Sequence, residues 1–321
     1  MKRYLVTGAT GYIGSMLVKH IAERDKDAQV TVLVRDRRKA EGMLPADIRM
    51  ITANLADREG MNKLEVTCDY LIHCASVTRS AEMISHPVEV TESIVNATQN
   101  VLELAKRCGV RSMVYLSSME VYGTLDCGAD CRAAESEAAQ GIVELLDVRS
   151  CYSLGKRMSE NICYCYYKEY GVPVKIARLA QTFGRGVLPK ENRVFAQFAR
   201  AAGEGRDIVL HTRGGSMGNY CSISDAIKGI LVILEKGENG QAYNVVNERN
   251  TMTVKEMAEL VAEKIARNRI QVICDIPTDN PYGYAQDTGL RMSGKKLMEL
   301  GWTPVQGIEE MYLELMDSLG M

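Results

Sequence analysis

The sequence of 321 residues has no excess of either charge. Lysine and arginine together number 39 and aspartate and glutamate 41, which gives a formal net charge of −2. A chain so close to neutral lacks the basic surface that attracts nucleic acids and anionic membranes. Composition therefore predicts no nucleic-acid partner and no membrane partner, and any other partner must be inferred from a specific site.

Long hydrophobic runs are also missing. The longest apolar stretches fall well short of the ~18 residues that a membrane-spanning helix needs. The start of the chain lacks a basic segment followed by an apolar run and a cleavage site, because its first apolar residues lead directly into glycines. These absences predict a soluble, cytoplasmic protein.

No metal site is indicated either. Of the ten cysteines, only Cys127 with Cys131 and Cys163 with Cys165 lie close together in the sequence. Neither pair has a nearby histidine or the usual spacing of zinc ligands. We therefore expect reduced, mostly buried thiols that pack as small hydrophobic side chains, and no bound metal.

Short apolar strands alternate with amphipathic stretches of helical length in the first half of the chain. The predicted strands are residues 3–7, 29–34, 49–52, 69–75, 112–117 and 174–178, and the predicted helices are residues 12–24, 88–108 and 152–170. Such alternation is typical of parallel strands joined by right-handed crossovers. It predicts an α/β fold built on a doubly wound parallel Rossmann sheet.

The alternation weakens after residue 178. Shorter elements follow, namely a strand at 241–246 and helices at 224–234, 254–267 and 293–300. We expect residues 1–178 to form an NAD(P)-binding Rossmann domain to which residues 219–246 return, and residues 179–321 to form mostly a smaller C-terminal substrate-binding lobe. The polar segment 123–150 is too long for a simple connection, so it either covers a ligand or is a solvated excursion.

The run TGATGYIG at residues 7–14 has the spacing of a phosphate-binding turn. It follows the first predicted strand and opens the first predicted helix, whose N-terminal N–H groups attract anions. Gly8 permits a tight turn, Gly11 lets the backbone approach a pyrophosphate, and Gly14 allows close packing of helix on strand. The residues predicted here to bind a nicotinamide dinucleotide are Gly8, Thr10, Gly11, Tyr12, Ile13 and Gly14.

The end of the second strand bears on the choice between NAD and NADP. Sites for NAD usually carry a carboxylate there, which binds the ribose 2′-hydroxyl. This chain has Val34 followed by Arg35, whose guanidinium is suited to a 2′-phosphate. The pattern favours NADP over NAD, although a charged loop after a strand is often only a solvated turn.

A catalytic pair is indicated by Tyr152 and Lys156. Their spacing places both side chains on one face of a helix, where the ammonium of Lys156 is expected to lower the pKa of Tyr152 toward working pH. Ser118 follows the preceding strand and can hydrogen-bond the same reacting oxygen. Together with the glycine turn, these residues point to proton and hydride transfer.

At this point the sequence resembles the extended short-chain dehydrogenase/reductase family, in its nucleotide-sugar epimerase/dehydratase branch. The segments that carry the resemblance are TGATGYIG (7–14), LIHCAS (71–76), SSMEVYG (117–123), SCYSLGK (150–156), ARLAQTFG (177–184) and LGWTP (300–304). Three further segments are most similar in pattern to UDP-glucuronate decarboxylases, namely RSCYSLGKR (149–157), NRVFAQF (192–198) and YCSISDA (220–226).

The resemblance implies a nucleotide-diphosphate sugar as substrate. Tyr152 would take the proton of the sugar C4 hydroxyl, Lys156 would tune that tyrosine and contact the nicotinamide ribose, and Ser118 would orient the hydroxyl. Hydride transfer from C4 to NAD(P)+ then gives a transient 4-keto sugar that can be epimerised, decarboxylated or dehydrated. A homodimer formed through the helices 88–108 and 152–170 is also usual in the family.

Further cofactor contacts come from the same resemblance. They are assigned to Asn54 and Leu55 after the third strand and to Cys74, Ala75 and Ser76 after the fourth. Asn54 stands where an aspartate often meets adenine, and an amide can still make those hydrogen bonds. His73 lies in an apolar strand, and we expect it to be a hydrogen-bonded core histidine.

The substrate side of the site is less regular. Glu120 follows Met119 where dehydratases carry an Asp-Glu pair and decarboxylases a Ser-Glu pair, so dehydration is disfavoured relative to epimerisation or decarboxylation. Glu120 either acts as base near C5, orients a C6 carboxylate, or only pairs with a cation. The predicted substrate-binding residues are Ser118, Met119, Glu120, Gln181, Arg193 and Arg213.

Two positions depart from the family pattern. Gly218 replaces an arginine that usually engages the nucleotide-sugar, and Gln181 replaces an asparagine and is one methylene longer. Arg213 and Arg185 are nearby cations that can compensate, or they are simply solvated.

Two alternative functions remain open at this stage. The run from Leu33 to Asp36 favours an NADPH-dependent carbonyl reductase of the dihydroflavonol-reductase type, whereas segments 149–157 and 220–226 oppose it. A non-catalytic Rossmann cofactor sensor would be expected to lack Ser118, Tyr152 or Lys156, and all three are present.

Overall fold

The computed structural model describes residues 1–125, 134–277 and 289–321, and all structural statements below concern these ranges. The strands are β1 (Arg3–Thr7), β2 (Gln29–Val34), β3 (Arg49–Thr52), β4 (Tyr70–His73), β5 (Ser112–Ser118), β6 (Val174–Leu179), β7 (Gln181–Phe183), β8 (Ile208–Leu210), β9 (Met217–Gly218), β10 (Tyr220–Ser222), β11 (Ala242–Val245), β12 (Met252–Thr253) and β13 (Val272–Cys274).

The helices connect and flank these strands. They are α1 (Tyr12–Arg24), α2 (Arg37–Glu41), α3 (Arg58–Asn62), α4 (Ser80–Ser85), α5 (Pro87–Cys108), α6 (Ser150–Tyr170), α7 (Val194–Glu204), α8 (Ile223–Lys236), α9 (Val254–Leu260), α10 (Lys295–Glu299) and α11 (Ile308–Leu319). None of them is both long enough and apolar enough to cross a membrane.

Seven strands form one sheet in the order β3-β2-β1-β4-β5-β6-β11, and every pair is parallel. The order in which strands are added changes side between β1 and β4: β2 and β3 lie on one side of β1, and β4 and the later strands lie on the other. The last residues of β1 and β4, Thr7 and His73, lie opposite each other in register. In open parallel sheets, ligands bind outside the carboxyl ends of the strands at such a point. The loops after β1 and β4 therefore border the expected site.

Helices cover both faces of this sheet, which explains why its central strands are mostly buried and largely apolar. On one face, Leu17 of α1 and Ile230 of α8 join the same buried cluster. On the other face, Val101 of α5 and Cys163 of α6 pack with Leu71 of β4. The predicted doubly wound Rossmann sheet is confirmed.

A further buried cluster lies among α7, α9 and α11. Its centre is Phe183, whose ring stacks on Phe195 at a centroid distance of 4.5 Å and meets Tyr312 edge-on at 5.2 Å. The returning strand β11 pairs with β6 in the main sheet. The domain limits proposed from the sequence stay a prediction.

Several predicted boundaries need correction. The fourth strand ends at His73 instead of residue 75, because the chain turns away from the sheet after it. The predicted helix 254–267 is α-helical only as far as Leu260 and continues as a π-helical turn, Val261–Ile265. Arg267 and Asn268 then take φ values of 54° and 58°, a left-handed conformation that ends the helix.

The polar segment 123–150 is fixed to the sheet in its described parts. Thr124 and Ile142 form an antiparallel bridge, and the Glu137 carboxylate accepts a hydrogen bond of 2.8 Å from the Asn244 backbone nitrogen on β11. The segment is therefore not a free solvated excursion. The stretch 126–133, which includes Cys127 and Cys131, lies outside the described residues.

Candidate active site

The glycine turn packs directly against the end of β4. Gly8 has a φ of 71°, and a Cβ atom at this position would lie 2.5 Å from the Ala75 nitrogen. A Cβ atom on Gly14 would overlap the Gly8 carbonyl oxygen, so glycine is required at both positions. Gly11 is exposed, and its Cβ would have slightly more room, at 3.2 Å from the Gly8 oxygen.

The turn leaves an anion-binding surface open at the start of α1. Its N-cap, Gly11, offers no side-chain hydrogen bond, and the first turn holds no acidic residue. The free N–H groups and the helix dipole at this end therefore favour a phosphate. Nearby, the Ser76 hydroxyl is buried with no partner in the described part of the chain. Both features fit a dinucleotide.

Two of the residues predicted to meet the adenosine half, Arg35 and Asn54, are exposed at the ends of β2 and β3. Arg35 has no hydrogen bond or ion pair in the described ranges, whereas the next residue, Asp36, caps α2 by accepting a hydrogen bond from the Lys39 nitrogen. Asn54 is exposed, and its side-chain oxygen accepts a bond of 3.2 Å from the Ala56 nitrogen. Leu55 is buried, and its carbonyl accepts a bond from Asn100 of α5 at 2.9 Å.

Tyr152 and Lys156 lie on α6 above the end of β5. Both are almost completely buried, with 6% and 2% of their surface exposed. The Lys156 ammonium donates a hydrogen bond of 2.8 Å to the Leu116 carbonyl and lies 5.8 Å from the Tyr152 ring centroid. The Ser118 hydroxyl accepts a bond of 3.2 Å from the Glu120 nitrogen and also interacts with the Tyr152 hydroxyl. The structure thus brings the predicted Ser, Tyr and Lys together.

The pKa values in this pocket differ from the expectation. Burial raises the pKa of Tyr152, the Glu120 carboxylate raises it further, and Ser118 and Arg193 only partly oppose this. Lys156 is not among the groups that shift it, and burial lowers its own pKa to about 8. The prediction that Lys156 lowers the Tyr152 pKa toward working pH is therefore not confirmed, because the net direction is upward and the ammonium donates its hydrogen bond to the Leu116 carbonyl.

Glu120 lies in a short 3₁₀ turn, Met119–Tyr122, directly after β5. Its carboxylate reaches the solvent of the cleft, yet the cleft walls remove enough water to raise its pKa. The Arg149 and Arg193 guanidiniums act in the opposite direction. Arg149 was not among the predicted residues, although it directly precedes the segment that carries Tyr152.

Arg157, the residue after Lys156, holds the turn that carries Glu120. Its guanidinium donates hydrogen bonds to the carbonyls of Val121 at 2.7 Å, Tyr122 at 3.2 Å and Gly141 at 2.8 Å. The first two carbonyls belong to the 3₁₀ turn and the third to the segment that crosses it. Arg157 belongs to the segment 149–157 that carries the resemblance, but it is assigned no role from the sequence, because bonds from a side chain to distant backbone cannot be inferred from a motif.

A buried ion pair supports the same region from below. Arg178 of β6 and Glu160 of α6 approach to 2.7 Å, and the Ser117 hydroxyl donates to Glu160 at 2.5 Å. Arg178 also donates to the Tyr122 hydroxyl at 3.2 Å, which in turn donates to Asn244 at 2.7 Å. The network joins β5, β6, β11 and α6 beneath the 3₁₀ turn that carries Glu120.

The remaining predicted substrate residues are more dispersed. Gln181 begins β7 and lies opposite Tyr220 of β10, whereas Arg213 is exposed on a loop. Gly218 is buried, and a Cβ atom there would overlap the Tyr220 ring and hydroxyl. The Tyr220 side chain therefore closes the position where an arginine was expected.

His73 is confirmed as a core residue. Its Nδ1 lies 2.6 Å from the Thr7 hydroxyl, and its Nε2 lies 3.4 Å from the Thr98 hydroxyl. Burial, helped by the charge of Lys156, lowers its pKa to about 3, so the ring is neutral at physiological pH. Next to it, burial raises the pKa of the Cys74 thiol to about 12, which keeps this residue unreactive.

Two known proteins are similar in sequence to nearly the whole chain. UDP-glucuronic acid decarboxylase 1 of Danio rerio is 28% identical over 314 residues, covering 96% of this chain and 70% of that protein. UDP-glucuronic acid decarboxylase 6 of Arabidopsis thaliana is 29% identical over 311 residues, covering 96% and 86%.

Solved structures share the fold at lower identity. UDP-glucose 4-epimerase of Thermotoga maritima, solved with UDP-glucose, superposes with a TM-score of 0.85 at 21% identity and covers 99% of this chain and 98% of its own. dTDP-glucose 4,6-dehydratase of Bacillus anthracis, solved with NAD, gives a TM-score of 0.78 at 20% identity and covers 100% and 97%.

The sequence profile of one family extends over most of the chain. It matches residues 4–247, which include the glycine turn, the 3₁₀ turn with Glu120 and the Tyr152–Lys156 pair. The sequence, the parallel sheet and the converging side chains thus lead to one assignment: this chain belongs to the NAD dependent epimerase/dehydratase family.

Proposed function

We propose that this protein converts a nucleotide-diphosphate sugar through a transient 4-keto sugar. The observation that carries the proposal is the convergence of Ser118, Tyr152 and Lys156 at the carboxyl end of β5, beside a glycine turn suited to a dinucleotide. A carbonyl reductase shares those residues. It has no evident use for a carboxylate on which two guanidiniums act, as Arg149 and Arg193 act on Glu120.

The proton chemistry belongs to the side chains of this chain. Tyr152 takes the proton of the sugar C4 hydroxyl, and Ser118 hydrogen-bonds the same oxygen. When bound, oxidised NAD(P) supplies a hydride acceptor and a positive charge that favours the phenolate. Lys156 adds a second positive charge below its pKa of about 8. Burial then excludes water while the ketone exists.

Among the three outcomes, we favour decarboxylation or epimerisation over 4,6-dehydration. Dehydration needs an acid to protonate the departing C6 hydroxyl, and Met119 cannot supply one. Arg149 and Arg193 offer two guanidiniums to an anionic substrate group such as a C6 carboxylate. The similarity to UDP-glucuronic acid decarboxylases supports a glucuronate-type substrate.

A substrate panel tests this function. Purified protein with NAD+ would be incubated with UDP-glucuronate, UDP-glucose, dTDP-glucose, GDP-mannose and CDP-glucose, and products identified by mass spectrometry. We expect carbon dioxide release or an epimer from at least one UDP-sugar and none with Tyr152→Phe. Absence of both conversion and binding across the panel would refute the proposal.

For the cofactor, we propose a preference for NADP over NAD. The support is Arg35, which is exposed at the carboxyl end of β2 with no hydrogen bond or ion pair in the described ranges. Titration calorimetry with both dinucleotides tests it, and Arg35→Asp should weaken NADP+ binding selectively. Tighter binding of NAD+ by the natural protein would contradict the preference.

We also propose that the protein forms a homodimer through α5 and α6. Val88 and Met158 are 65% and 52% exposed on these helices, more than large apolar side chains usually are. Light scattering after size exclusion should give twice the chain mass of 35.6 kDa, and Met158→Glu should reduce it to the monomer. Location in the cytoplasm stays a prediction from the sequence.

A further inference from the structure

Residues 184–186, which connect β7 toward α7, are enclosed between two helices. On one side, the Tyr12 hydroxyl of α1 donates a hydrogen bond of 3.0 Å to the Arg185 carbonyl. On the other, the Gly186 nitrogen donates to the Ser318 hydroxyl of α11 at 2.8 Å. Gly186 has a φ of 76°, and a Cβ atom there would lie 2.8 Å from the Met16 sulfur of α1. The segment therefore fits closely against the start of α1.

Tyr12 is also the first residue of α1, in the glycine turn itself. A pyrophosphate bound to the free N–H groups of this turn restrains the backbone that carries the Tyr12 ring. The Tyr12 side chain is partly buried, and burial raises its pKa. The charges that act on it are those of Arg193, Glu314 and Glu191.

The chain that follows the 184–186 segment leads to the cleft. Arg193 caps the start of α7 and is held by both oxygens of Glu191, at 2.7 Å and 3.0 Å. From this position its charge acts on Glu120 and Tyr152. Only a short stretch of chain therefore separates Arg193 from Arg185, whose carbonyl accepts the hydrogen bond from Tyr12.

We propose that Tyr12 is a positioning residue that couples dinucleotide binding at the glycine turn to the placement of Arg193 in the cleft. When the N-terminus of α1 is restrained, the Tyr12 hydroxyl is held in place. The hydroxyl then restrains residues 184–186, and these restrain the chain that leads to α7. Coupling of this kind is reciprocal, so an anion held by Arg193 also tightens dinucleotide binding. Only the nature of that anion rests on the proposed function.

Hydrogen–deuterium exchange tests the coupling without any sugar substrate. The full-length chain, freed of co-purified dinucleotide, would be compared with and without saturating NAD+, and again with NADP+. In the natural protein we expect slower exchange both at residues 8–14 and at residues 184–193. In Tyr12→Phe, which removes one oxygen atom, we expect the first protection to remain and the second to disappear.

Tyr312→Phe is the matched control. Its hydroxyl is buried in the cluster around Phe183 and has no hydrogen-bond partner in the described chain, so its removal should preserve both protections. Protection of residues 184–193 that persists in Tyr12→Phe would overturn the proposal. So would loss of protection at residues 8–14, because Tyr12 would then act on dinucleotide binding itself.

Steady-state kinetics give a second, separate measurement. With a nucleotide-sugar that is turned over, Tyr12→Phe should raise KM roughly 3- to 10-fold, as expected for one net hydrogen bond, and leave kcat nearly unchanged. A fall in kcat with unchanged KM would contradict the coupling. If no sugar is turned over, the proposed function fails and the exchange result still decides the role of Tyr12.

Discussion

At the scale of single residues, the pocket predicted to be catalytic opposes charge on both Tyr152 and Lys156. Burial raises the pKa of Tyr152 and lowers that of Lys156. The reactive state of the pair, a phenolate beside an ammonium, is therefore unfavourable until other charges enter the pocket. Such a pocket limits proton abstraction to the loaded enzyme.

The pH dependence of activity follows from the pKa of Lys156, which is about 8. Below this pH the side chain is an ammonium, and above it a neutral amine that no longer stabilises the phenolate. Because the Tyr152 pKa is raised at the same time, the fraction of phenolate beside ammonium, and with it kcat/KM, should rise with pH up to about 8 and level off above it. The pH profile of Lys156→Arg, which stays charged, should keep rising above pH 8 even if its activity is lower. A profile of the natural protein that keeps rising to about pH 10, near the ordinary lysine pKa, would contradict the prediction.

The overlap of Gly218 with Tyr220 gives a second prediction at this scale. Gly218→Ala should reduce the free energy of unfolding by about 1–3 kcal/mol, because the added methyl group meets a buried ring. In a Tyr220→Leu background the same change should cost less, since the shorter side chain leaves that space. Urea unfolding of the four proteins measures the coupling, and simple additivity of the two changes would refute it.

Residues that take part in a sequence motif could be predicted, and residues that act on distant backbone could not. The glycine turn, Ser118, Tyr152 and Lys156 were identified from spacing, and the structure brings the last three together. Arg149 and Arg157 stand at the ends of the segment 149–157, yet their roles could not be predicted, since their partners lie in other elements. The net rise of the Tyr152 pKa could not be predicted either, because burial depends on packing that the helical spacing of two residues does not contain.

At the scale of secondary structure elements, one arginine joins three pieces of chain. Arg157 binds the 3₁₀ turn and the segment that crosses it, so it restricts where Glu120 and Ser118 can lie. The strands of the central sheet could be predicted closely because most of them are short, largely apolar runs. Short turns such as this one could not, because a single long-range side chain decides their conformation.

Replacement of Arg157 tests that restriction. We expect Arg157→Met to reduce kcat about 10-fold or more, because Glu120 and Ser118 lose their fixed placement. Arg157→Lys should recover part of the activity by donating to one of the three carbonyls. Arg37→Gln, which removes an exposed pair with Glu41 at 2.9 Å, is the control and should leave kcat unchanged. Natural kcat in Arg157→Met would show that the turn holds its shape unaided.

At the scale of the whole molecule, one buried carboxylate attaches the C-terminal residues to the rest of the chain. Asp225 of α8 is fully buried, and its Oδ2 accepts hydrogen bonds of 2.9 Å from the backbone nitrogens of Val305 and Gln306. The Asp225 carbonyl accepts a third, of 3.0 Å, from the Trp302 indole. The position of α11, the helix whose Ser318 hydroxyl binds the Gly186 nitrogen, therefore depends on this attachment.

Asp225→Asn should weaken the attachment by about 1–3 kcal/mol, because an amide oxygen is a poorer acceptor than a carboxylate. In the natural protein, urea unfolding followed by Trp302 fluorescence and by far-ultraviolet circular dichroism should coincide. In the variant, the fluorescence transition should occur at a lower urea concentration than the circular dichroism transition. Two transitions that remain superimposed would show that α11 does not detach separately.

The chain contains a single tryptophan, and it is Trp302, buried at the junction of α8 with the C-terminal residues. Tryptophan emission overlaps the absorption band of reduced nicotinamide but not that of the oxidised form. We therefore expect energy transfer from this one donor to distinguish the two redox states of a bound dinucleotide. Trp302 emission that differs between the oxidised and reduced forms would make this side chain an optical probe of the cofactor without any label.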